Sequence, residues 1–296
     1  ALRKGSPKAK LFCVGDDWQS IYRFSGSNLS LFTDFESYFG YTDKKKIETT
    51  YRFGNPLVGF SSGFIQRNPI QIKKSISPYN PECQTDMLFY EYDRYNYAAT
   101  INSLVASVPS DKTIYLLGRY SFDDYYLSYA FKSVKRGNKF FYIINGREIE
   151  FLTVHKSKGL EADYVILLQC NKDTFGFPAL MSDDPVLNLI LDKGDKFPYG
   201  EERRLFYVAI TRAKRRTFIM YHKSVPSVFV TEFLHPERLH VNYSPHKNAN
   251  KRWGKKGDAY LMQLYTEGKS IKQISQLMGR SQTSIIMRLQ KLGAKC

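Results

Sequence analysis

Short apolar runs alternate with segments of helical periodicity over residues 10–222. An apolar run of about four to eight residues between turn signals predicts a buried strand, and apolar residues at three- and four-residue spacing predict a helix. Strands that alternate with helices predict an α/β fold with a mostly parallel sheet and helices on both faces. The predicted strands are 10–14, 86–92, 113–118, 139–144, 151–155, 164–169 and 217–222, and the predicted helices are 29–39, 56–67, 97–107, 121–135 and 201–214.

The periodic pattern thins out over residues 226–250, which are expected to form a polar, basic linker. Beyond the linker, three short amphipathic segments predict a small all-α domain at residues 255–296. Ser281 is a candidate N-cap of the third helix. A small helical bundle that docks on a partner protein is one interpretation of this trio. The other is a helix-turn-helix-like tail, in which a DNA groove would be faced by Arg280, Gln282, Thr283 and Arg288.

The charge balance favours a polyanionic partner. The chain has 296 residues, with 44 Lys and Arg against 28 Asp and Glu, which gives a net charge of +16. Phosphate backbones are the commonest partner of such a charge, although ribosomes and anionic membrane surfaces also attract it. From Lys247 to Cys296 there are 11 basic and 2 acidic residues, so the last sixth of the chain carries more than half of the excess.

The composition excludes several classes of protein. Hydrophobic residues make up 43% of the chain, including 22 Tyr and 21 Phe, which suffices for a sizeable core and excludes general disorder. The longest apolar runs fall far short of the ~20 residues that span a bilayer, so no membrane partner is expected. The four cysteines lie far apart without a CxxC pair, so we expect free thiols, a cytoplasmic location and no metal site.

Residues 14–27 hold polar and aromatic side chains directly after a predicted strand. Gln19 on such a loop can orient a water molecule or a phosphate oxygen. Tyr22 and Phe24 offer faces on which a base can stack. The alternative interpretation is a surface turn with ordinary aromatic residues.

Two further segments combine groups that suit a nucleotide or a nucleic-acid backbone. In residues 48–53, Tyr51 can stack on a base while the adjacent Arg52 donates two hydrogen bonds to a phosphate. A solvated surface arginine is the alternative there. Residues 151–168 predict a strand, a polar loop and another strand, and a solvated loop with a turn glycine is the alternative. Hydroxyls and cations are concentrated in that loop: Thr153, His155, Lys156, Ser157 and Lys158.

Residues 201–216 predict an amphipathic helix with an unusual polar face. One arc of the helix is apolar, and the opposite face carries three arginines and no acid, whereas a solvated helix normally mixes both signs there. A guanidinium held on such a helix can stabilise a phosphoryl group during its transfer. A simple solvated helix is the alternative. The three arginines are Arg204, Arg212 and Arg215.

Taken in order, these four segments resemble the later motifs of the UvrD/Rep-type superfamily-one DNA helicases. VGDDWQSIYRFSG resembles motif III, TYR motif IV, TVHKSKGLEADYV motif V and EERRLFYVAITRAKRR motif VI. The resemblance covers residues 10–222 and implies RecA-like domains with the parallel sheet of P-loop NTPases. It implies that residues 1–54 end the first motor domain and that residues 55–246 form the second, whereas the tail lies outside it.

The resemblance also implies a role for each matching residue. Gln19 would sense the γ-phosphate of ATP and link it to DNA, Arg52 would contact the same phosphate, and Arg212 would be the arginine finger. The remaining nucleotide contacts would be Tyr51 on adenine, Gly159 near the phosphates and Glu161 at the ribose. Single-stranded DNA would be contacted by Tyr22, Phe24, Thr153 and His155.

Two motifs of this family are absent from the sequence. No GxxxxGK[ST] occurs, and no Asp-Glu pair follows an apolar strand ahead of Val14. ATP and Mg²⁺ would then be held mainly by a missing N-terminal motor domain, and this chain alone is expected to be inactive. The full-length protein would be a monomeric 3′-to-5′ DNA helicase that binds single-stranded and duplex DNA. The alternative is a non-enzymatic DNA-binding or regulatory module that keeps the helicase architecture.

Overall fold

The computed structural model describes residues 10–181, 197–235, 253–280 and 282–294. These residues fall into two compact units, one up to His235 and the other from Trp253 onward. None of the helices in these ranges is long and apolar enough to cross a membrane.

The first unit is built around a sheet of eight strands in the order β2-β4-β10-β9-β5-β8-β7-β6. The six strands from β2 to β8 pair in parallel, and β7 and β6 add an antiparallel hairpin at one edge. The prediction of a mixed α/β unit with a mostly parallel sheet is therefore confirmed. The strands are β1 (Thr49–Thr50), β2 (Asn55–Pro56), β3 (Ser77–Pro78), β4 (Gln84–Tyr92), β5 (Ile114–Gly118), β6 (Lys132–Arg136), β7 (Lys139–Ile144), β8 (Arg147–Thr153), β9 (Ala162–Leu167) and β10 (Ala213–His222), of which β1 and β3 form a separate parallel pair.

Successive residues of the central strands pack against helices on opposite faces of the sheet. On β9, Val165 and Leu167 join one apolar cluster, and Ile166 joins the other. The helices of this unit are α1 (Ser30–Thr33), α2 (Phe35–Phe39), α3 (Leu57–Ile65), α4 (Tyr97–Ala106), α5 (Tyr125–Ala130), α6 (Val154–Ser157), α7 (Gly200–Ile210) and α8 (Val228–Leu234). Helices α3, α7 and α8 contribute to the first cluster, and α4 and α5 contribute to the second.

Some sequence-based element predictions were wrong or had different bounds. The segment predicted as a linker, residues 226–250, contains helix α8. Residues 10–14 form no strand, and Phe12 is 89% exposed, because an apolar run has no strand to pair with here. The helix predicted at 121–135 is a 3₁₀ turn (Ser121–Asp124) followed by α5, and it ends at Ala130 because the chain then turns into β6 and pairs with β7. The helix predicted at 201–214 ends at Ile210, and β10 begins three residues later.

The second unit consists of three helices, as predicted: α9 (Lys255–Thr266), α10 (Ile271–Met278) and α11 (Gln282–Lys291). Leu261, Ile274 and Leu289, one from each helix, are fully buried in a shared core. Ser270 and Gln273 cap the start of α10 reciprocally, and Gly279 ends it in the left-handed region at φ +58°. The predicted cap Ser281 lies outside the described residues.

Candidate functional site

Helix α7 is buried on its polar face as well as on its apolar face. Arg204 is 2% exposed and Arg212, just after the helix, is 1% exposed. The Arg204 Nε donates to the carbonyl oxygen of Ser20 at 2.7 Å, which fixes the helix against the glutamine-bearing segment. The interpretation of this segment as a simple solvated helix is therefore wrong. Of the three arginines predicted for the polar face, only Arg215, which lies on β10, is largely exposed.

The guanidinium of Arg212 is held by neutral acceptors. Its Nε donates to the carbonyl oxygen of Val208 at 3.0 Å, its Nη1 to that of Leu160 at 3.2 Å, and its Nη2 to Oε1 of Gln19 at 3.3 Å. Burial first, and the nearby positive charge of Arg52 second, lower the pKa of Arg212 to about 10, so the group remains charged at neutral pH. None of these acceptors neutralises that charge, which suits the site to an anion.

The side-chain amide of Gln19 is oriented by its own turn. Residues Asp17–Gln19 form a single 3₁₀ turn, and the Nε2 of Gln19 donates to Oδ2 of Asp16. That bond occupies the nitrogen and leaves the amide oxygen for Arg212. The Nζ of Lys74 binds Asp16 at 2.8 Å and Asp17 at 2.6 Å. Burial lowers the pKa of Lys74, but the two carboxylates outweigh it and leave the pKa raised.

Arg52 lies beside Arg212 but is paired with a carboxylate. Its Nε contacts Oε2 of Glu161 at 3.1 Å, and its Nη1 donates to the carbonyl oxygen of Thr211 at 3.4 Å. Glu161 also binds Lys214 at 2.6 Å, and hydrogen bonds from Lys214 and Arg52 lower its pKa. The predicted ribose ligand Glu161 is thus ionised and shared between two cations.

The two other predicted nucleotide contacts are Tyr51, next to Arg52 in the sequence, and Gly159, close to Glu161. Tyr51 is 76% exposed, and its ring centroid lies 4.5 Å from that of Tyr79 at an angle of 30°. One face of Tyr51 is therefore covered by Tyr79. Gly159 adopts φ +89°, a left-handed conformation that L side chains rarely adopt.

A second cluster joins the predicted single-strand contacts. The hydroxyl of Tyr22 donates to the carbonyl oxygen of His155 at 3.0 Å, and the rings of Phe24 and His155 are 5.4 Å apart. Phe24 is 58% exposed and so presents a ring to solvent. Burial, followed by the charge of Arg119, lowers the pKa of His155 to about 4 and keeps it neutral at physiological pH. Thr153 accepts from the backbone N–H of Lys156 and caps α6, which carries His155.

A direct chain of contacts joins the two clusters. The Nζ of Lys158 donates to the backbone carbonyl of Gln19 at 2.9 Å and lies 4.9 Å from the centroid of the Tyr22 ring. Gln19 therefore touches Arg212 through its side chain and, through Lys158, the aromatic cluster that holds His155.

Comparisons with known proteins show which family the chain resembles. Residues 129–224 match the family model of the UvrD-like helicase C-terminal domain. Over 232 residues the chain is 37% identical to DNA helicase IV of Escherichia coli K12, covering 78% of this chain and 32% of that relative. The chain contains a C-terminal domain of the UvrD-like helicase family. The family resemblance carried by the four motifs is confirmed.

Two further relatives are matched over shorter stretches. The putative ATP-dependent DNA helicase YjcD of Bacillus subtilis is 37% identical over 100 residues, which are 33% of this chain and 13% of that relative. The ATP-dependent DNA helicase PcrA of Leuconostoc citreum is 32% identical over 106 residues, which are 32% of this chain and 12% of that relative. The UvrD-like chain thus spans about a third or less of the length of these relatives.

The predicted DNA contacts of the tail have partners inside the three-helix unit. The guanidinium of Arg280, 7% exposed, lies 4.1 Å from the centroid of the Trp253 ring. Arg288 forms a bidentate pair with Asp258 at 2.8 and 2.6 Å. The side chain of Gln282 lies outside the described residues. The DNA-binding roles of these residues stay predictions.

Two residues that shape the site of this UvrD-like domain were missed by the motif analysis. Lys74 is separated by 58 residues from Asp16, and no motif surrounds it. Arg119, after β5, binds Glu202 of α7 at 2.6 Å and adds positive charge next to His155. Only its place at the carboxyl end of a predicted strand, where ligand loops lie, could have indicated it. Within the described residues, no group of three or more His, Cys, Asp or Glu could hold a metal ion.

Proposed function

We propose that this chain supplies the second RecA-like motor domain, and the end of the first, of an ATP-dependent 3′-to-5′ DNA helicase. In that assignment residues 1–54 belong to the first motor domain, residues 55–246 to the second, and residues 255–296 to an added helix-turn-helix-like tail. The observation that carries the proposal is the hydrogen bond between Gln19 and Arg212, which joins a buried guanidinium to the turn that leads to the aromatic cluster. The relatives are named DNA helicases, which supports the same activity.

The nucleotide is the first substrate of this proposal. Arg212 acts as the arginine finger, because its charge is held rigidly and is not neutralised by the three acceptors that fix it. Arg52 and Gln19 contact the γ-phosphate, Tyr51 stacks on adenine through its open face, and Glu161 accepts from the ribose. Gly159 lies near the phosphates. The proposal assigns the Mg²⁺ that accompanies ATP mainly to the N-terminal motor domain.

Single-stranded DNA is the second substrate. Phe24 provides a stacking face, and Tyr22 orients the segment that carries His155. Neutral His155 and the hydroxyl of Thr153 contact the DNA backbone as hydrogen-bonding groups. Stacking does not depend on base identity, so binding has no sequence preference at this cluster.

ATP turnover and DNA movement are coupled through the glutamine turn. Loss of the γ-phosphate changes the partner of Gln19 and Arg212, and Lys158 passes the displacement to Tyr22. A non-enzymatic module would not require a buried, uncompensated guanidinium at this position. The helicase is therefore the function that the geometry supports best.

The test is DNA-stimulated ATP turnover by the full-length protein that contains this chain. Arg212→Ala is expected to lower turnover at least about a hundredfold while ATP binding is largely kept, because the guanidinium acts in the transition state. Arg212→Lys keeps a positive charge but loses the planar guanidinium that donates two parallel hydrogen bonds, so its ATP turnover is expected to be lowered as well. The matched control is Arg215→Ala, which removes an exposed arginine whose ion-pair distance is 3.5 Å. Unchanged turnover in Arg212→Ala would remove this residue from the mechanism.

A further inference from the structure

We infer that the chain carries a second stacking surface for single-stranded DNA, formed by Tyr120, Phe122 and Phe175 and called here the aromatic platform. None of these residues belongs to the four motif segments. The inference rests on the proposed function, since it extends the single-strand path beyond Phe24 and His155.

The platform is a preformed arrangement of three rings, of which Phe122 and Phe175 are half exposed. The Tyr120 and Phe122 rings are stacked at 4.9 Å with an angle of 8° between them. The ring of Phe175 stands edge-on to both, at 5.8 and 5.5 Å. Phe122 is 51% exposed and Phe175 is 49% exposed. Exposed, mutually braced aromatic rings are the form that base-stacking surfaces take.

The strand order places the platform beside the first single-strand cluster. Strands β5 and β8 pair in parallel, with Gly118 opposite Thr153, so the segments that follow them leave the same edge of the sheet side by side. One segment leads to Tyr120 and the other to His155. Arg119 lies between them: its guanidinium is 4.5 Å from the centroid of the Tyr120 ring, and its charge helps to lower the pKa of His155. The two groups of rings therefore lie next to each other at this edge of the sheet.

A cavity of about 640 Å³ opens next to the platform. Phe122 and Phe175 form part of its wall, and the polar side chains there include Arg94, Asp123, Gln169, Asn171 and Asp173. The amide nitrogen of Asn171 donates to the Tyr92 hydroxyl at 2.8 Å and to Oε1 of Gln169 at 2.9 Å, so these groups are held in place. A cavity of this size, with aromatic walls and a few fixed polar groups, accommodates a nucleotide.

Single-stranded DNA fits this surface better than an apolar protein segment does. A base has two π-faces that can stack on the rings, and its phosphate is attracted by the cation Arg94 at the cavity wall. The amide of Asn171 is already hydrogen-bonded to Tyr92, Gln169 and the backbone N–H of His222, so stacking on the rings carries the binding. The nearness of Phe24 and His155 favours the same ligand at both places.

The experiment compares thymidine oligonucleotides of roughly 4 and roughly 16 nucleotides, the range that a single-strand site spans. The full-length protein is compared with the double variant Phe122→Leu/Phe175→Leu, which keeps apolar bulk but loses both rings. We expect the variant to bind the longer oligonucleotide roughly tenfold more weakly and the shorter one normally. The slope of log affinity against log salt should stay unchanged, because no cation is removed. Tyr41→Ala, which removes a 98% exposed ring elsewhere, is the matched control.

Phe24→Ala separates this inference from the proposed function. If Phe24→Ala weakens both lengths and the platform variant weakens neither, the platform does not bind DNA, and a protein partner becomes its occupant. If Phe24→Ala changes neither length, the single-strand role proposed for the first cluster fails instead. Photo-crosslinking with 5-iododeoxyuridine provides a readout that needs no variant. An adduct on Phe122 or Phe175 is expected, and adducts confined to Phe24 and His155 would overturn the inference.

Discussion

Arg212 is among the largest fully buried side chains of the chain, yet its three hydrogen-bond acceptors are uncharged. Burying a guanidinium without a carboxylate is unfavourable, and the lowered pKa of Arg212 reflects that cost. Arg203 on α7 shows the contrasting solution, since Glu232 binds it at 2.7 and 2.8 Å. The buried charge of Arg203 is thus neutralised by a bound carboxylate, whereas that of Arg212 is not, which is consistent with the proposed binding of an anion by Arg212.

His155 gives a prediction on pH and stability. Its pKa is about 4 in the folded chain and about 6.5 in the unfolded chain. Between these values the unfolded state binds more protons, so the free energy of unfolding decreases as the pH falls from about 6.5 to 4. We expect His155→Gln to reduce this decrease, measured by chemical denaturation at several pH values. An identical pH dependence in the variant would contradict the assignment.

The pH dependence of stability must be compared between the unsubstituted protein and His155→Gln, because Asp123 changes the free energy of unfolding with pH in the opposite direction to His155. Burial raises its pKa to about 6, so in the folded state it holds a proton over a window in which the unfolded chain has lost it. The free energy of unfolding therefore decreases as the pH rises from about 3.8 to 6. His155→Gln leaves this contribution in place, so the difference between the two curves isolates His155.

Among the secondary-structure elements, helices α7 and α8 are joined by a buried ion pair. Glu232 of α8 binds Arg203 and also Arg67 at 2.6 Å. Glu232→Gln leaves the buried guanidinium of Arg203 without its counter-charge, and we expect it to lower the free energy of unfolding by about 3–5 kcal/mol. The control Glu36→Gln disrupts an exposed pair with Lys44 and should cost less than about 1 kcal/mol. Equal effects of the two substitutions would show that burial does not determine the cost.

The elements that the sequence predicted correctly are those whose burial pattern is repeated within the segment itself. Strands β5, β9 and β10 and helices α3, α4 and α7 lie within or close to their predicted ranges. The misassigned segments depend on their pairing partners. Lys132–Arg136 is a strand because β7, the next element of the chain, pairs with it in a hairpin, whereas no described strand pairs with the exposed residues 10–14. A hydrophobicity pattern contains no information about such partners.

Contacts between residues far apart in the sequence also limited the prediction of the candidate site. The motifs identified Gln19, Arg52 and Arg212, which the fold brings together although up to 193 residues separate them. The burial of Arg204 and the binding of Asp16 and Asp17 by Lys74 were not predictable, because each depends on a residue at least 55 positions away. Motif wording identifies the groups that act, and tertiary structure decides which of them are already paired.

At the scale of the whole molecule, the three-helix unit contributes a large share of the positive charge. We expect deletion of residues 251–296 from the full-length protein to weaken duplex binding and to flatten its salt dependence, because roughly one counterion is released per phosphate neutralised. Phe24→Ala, which removes no charge, is the control and should keep the slope. An unaltered slope after the deletion would indicate that the three-helix unit binds a protein instead of DNA.

In the proposed function, one turn joins the nucleotide side to the DNA side. Gln19 accepts from Arg212, and Lys158 contacts both the backbone carbonyl of Gln19 and the ring of Tyr22. The most direct test is the ratio of ATP turnover with saturating thymidine oligonucleotide to turnover without DNA, measured in the full-length protein and in Gln19→Ala. We predict that the ratio falls towards one in the variant while ATP binding is retained. An unchanged ratio would contradict coupling through this turn.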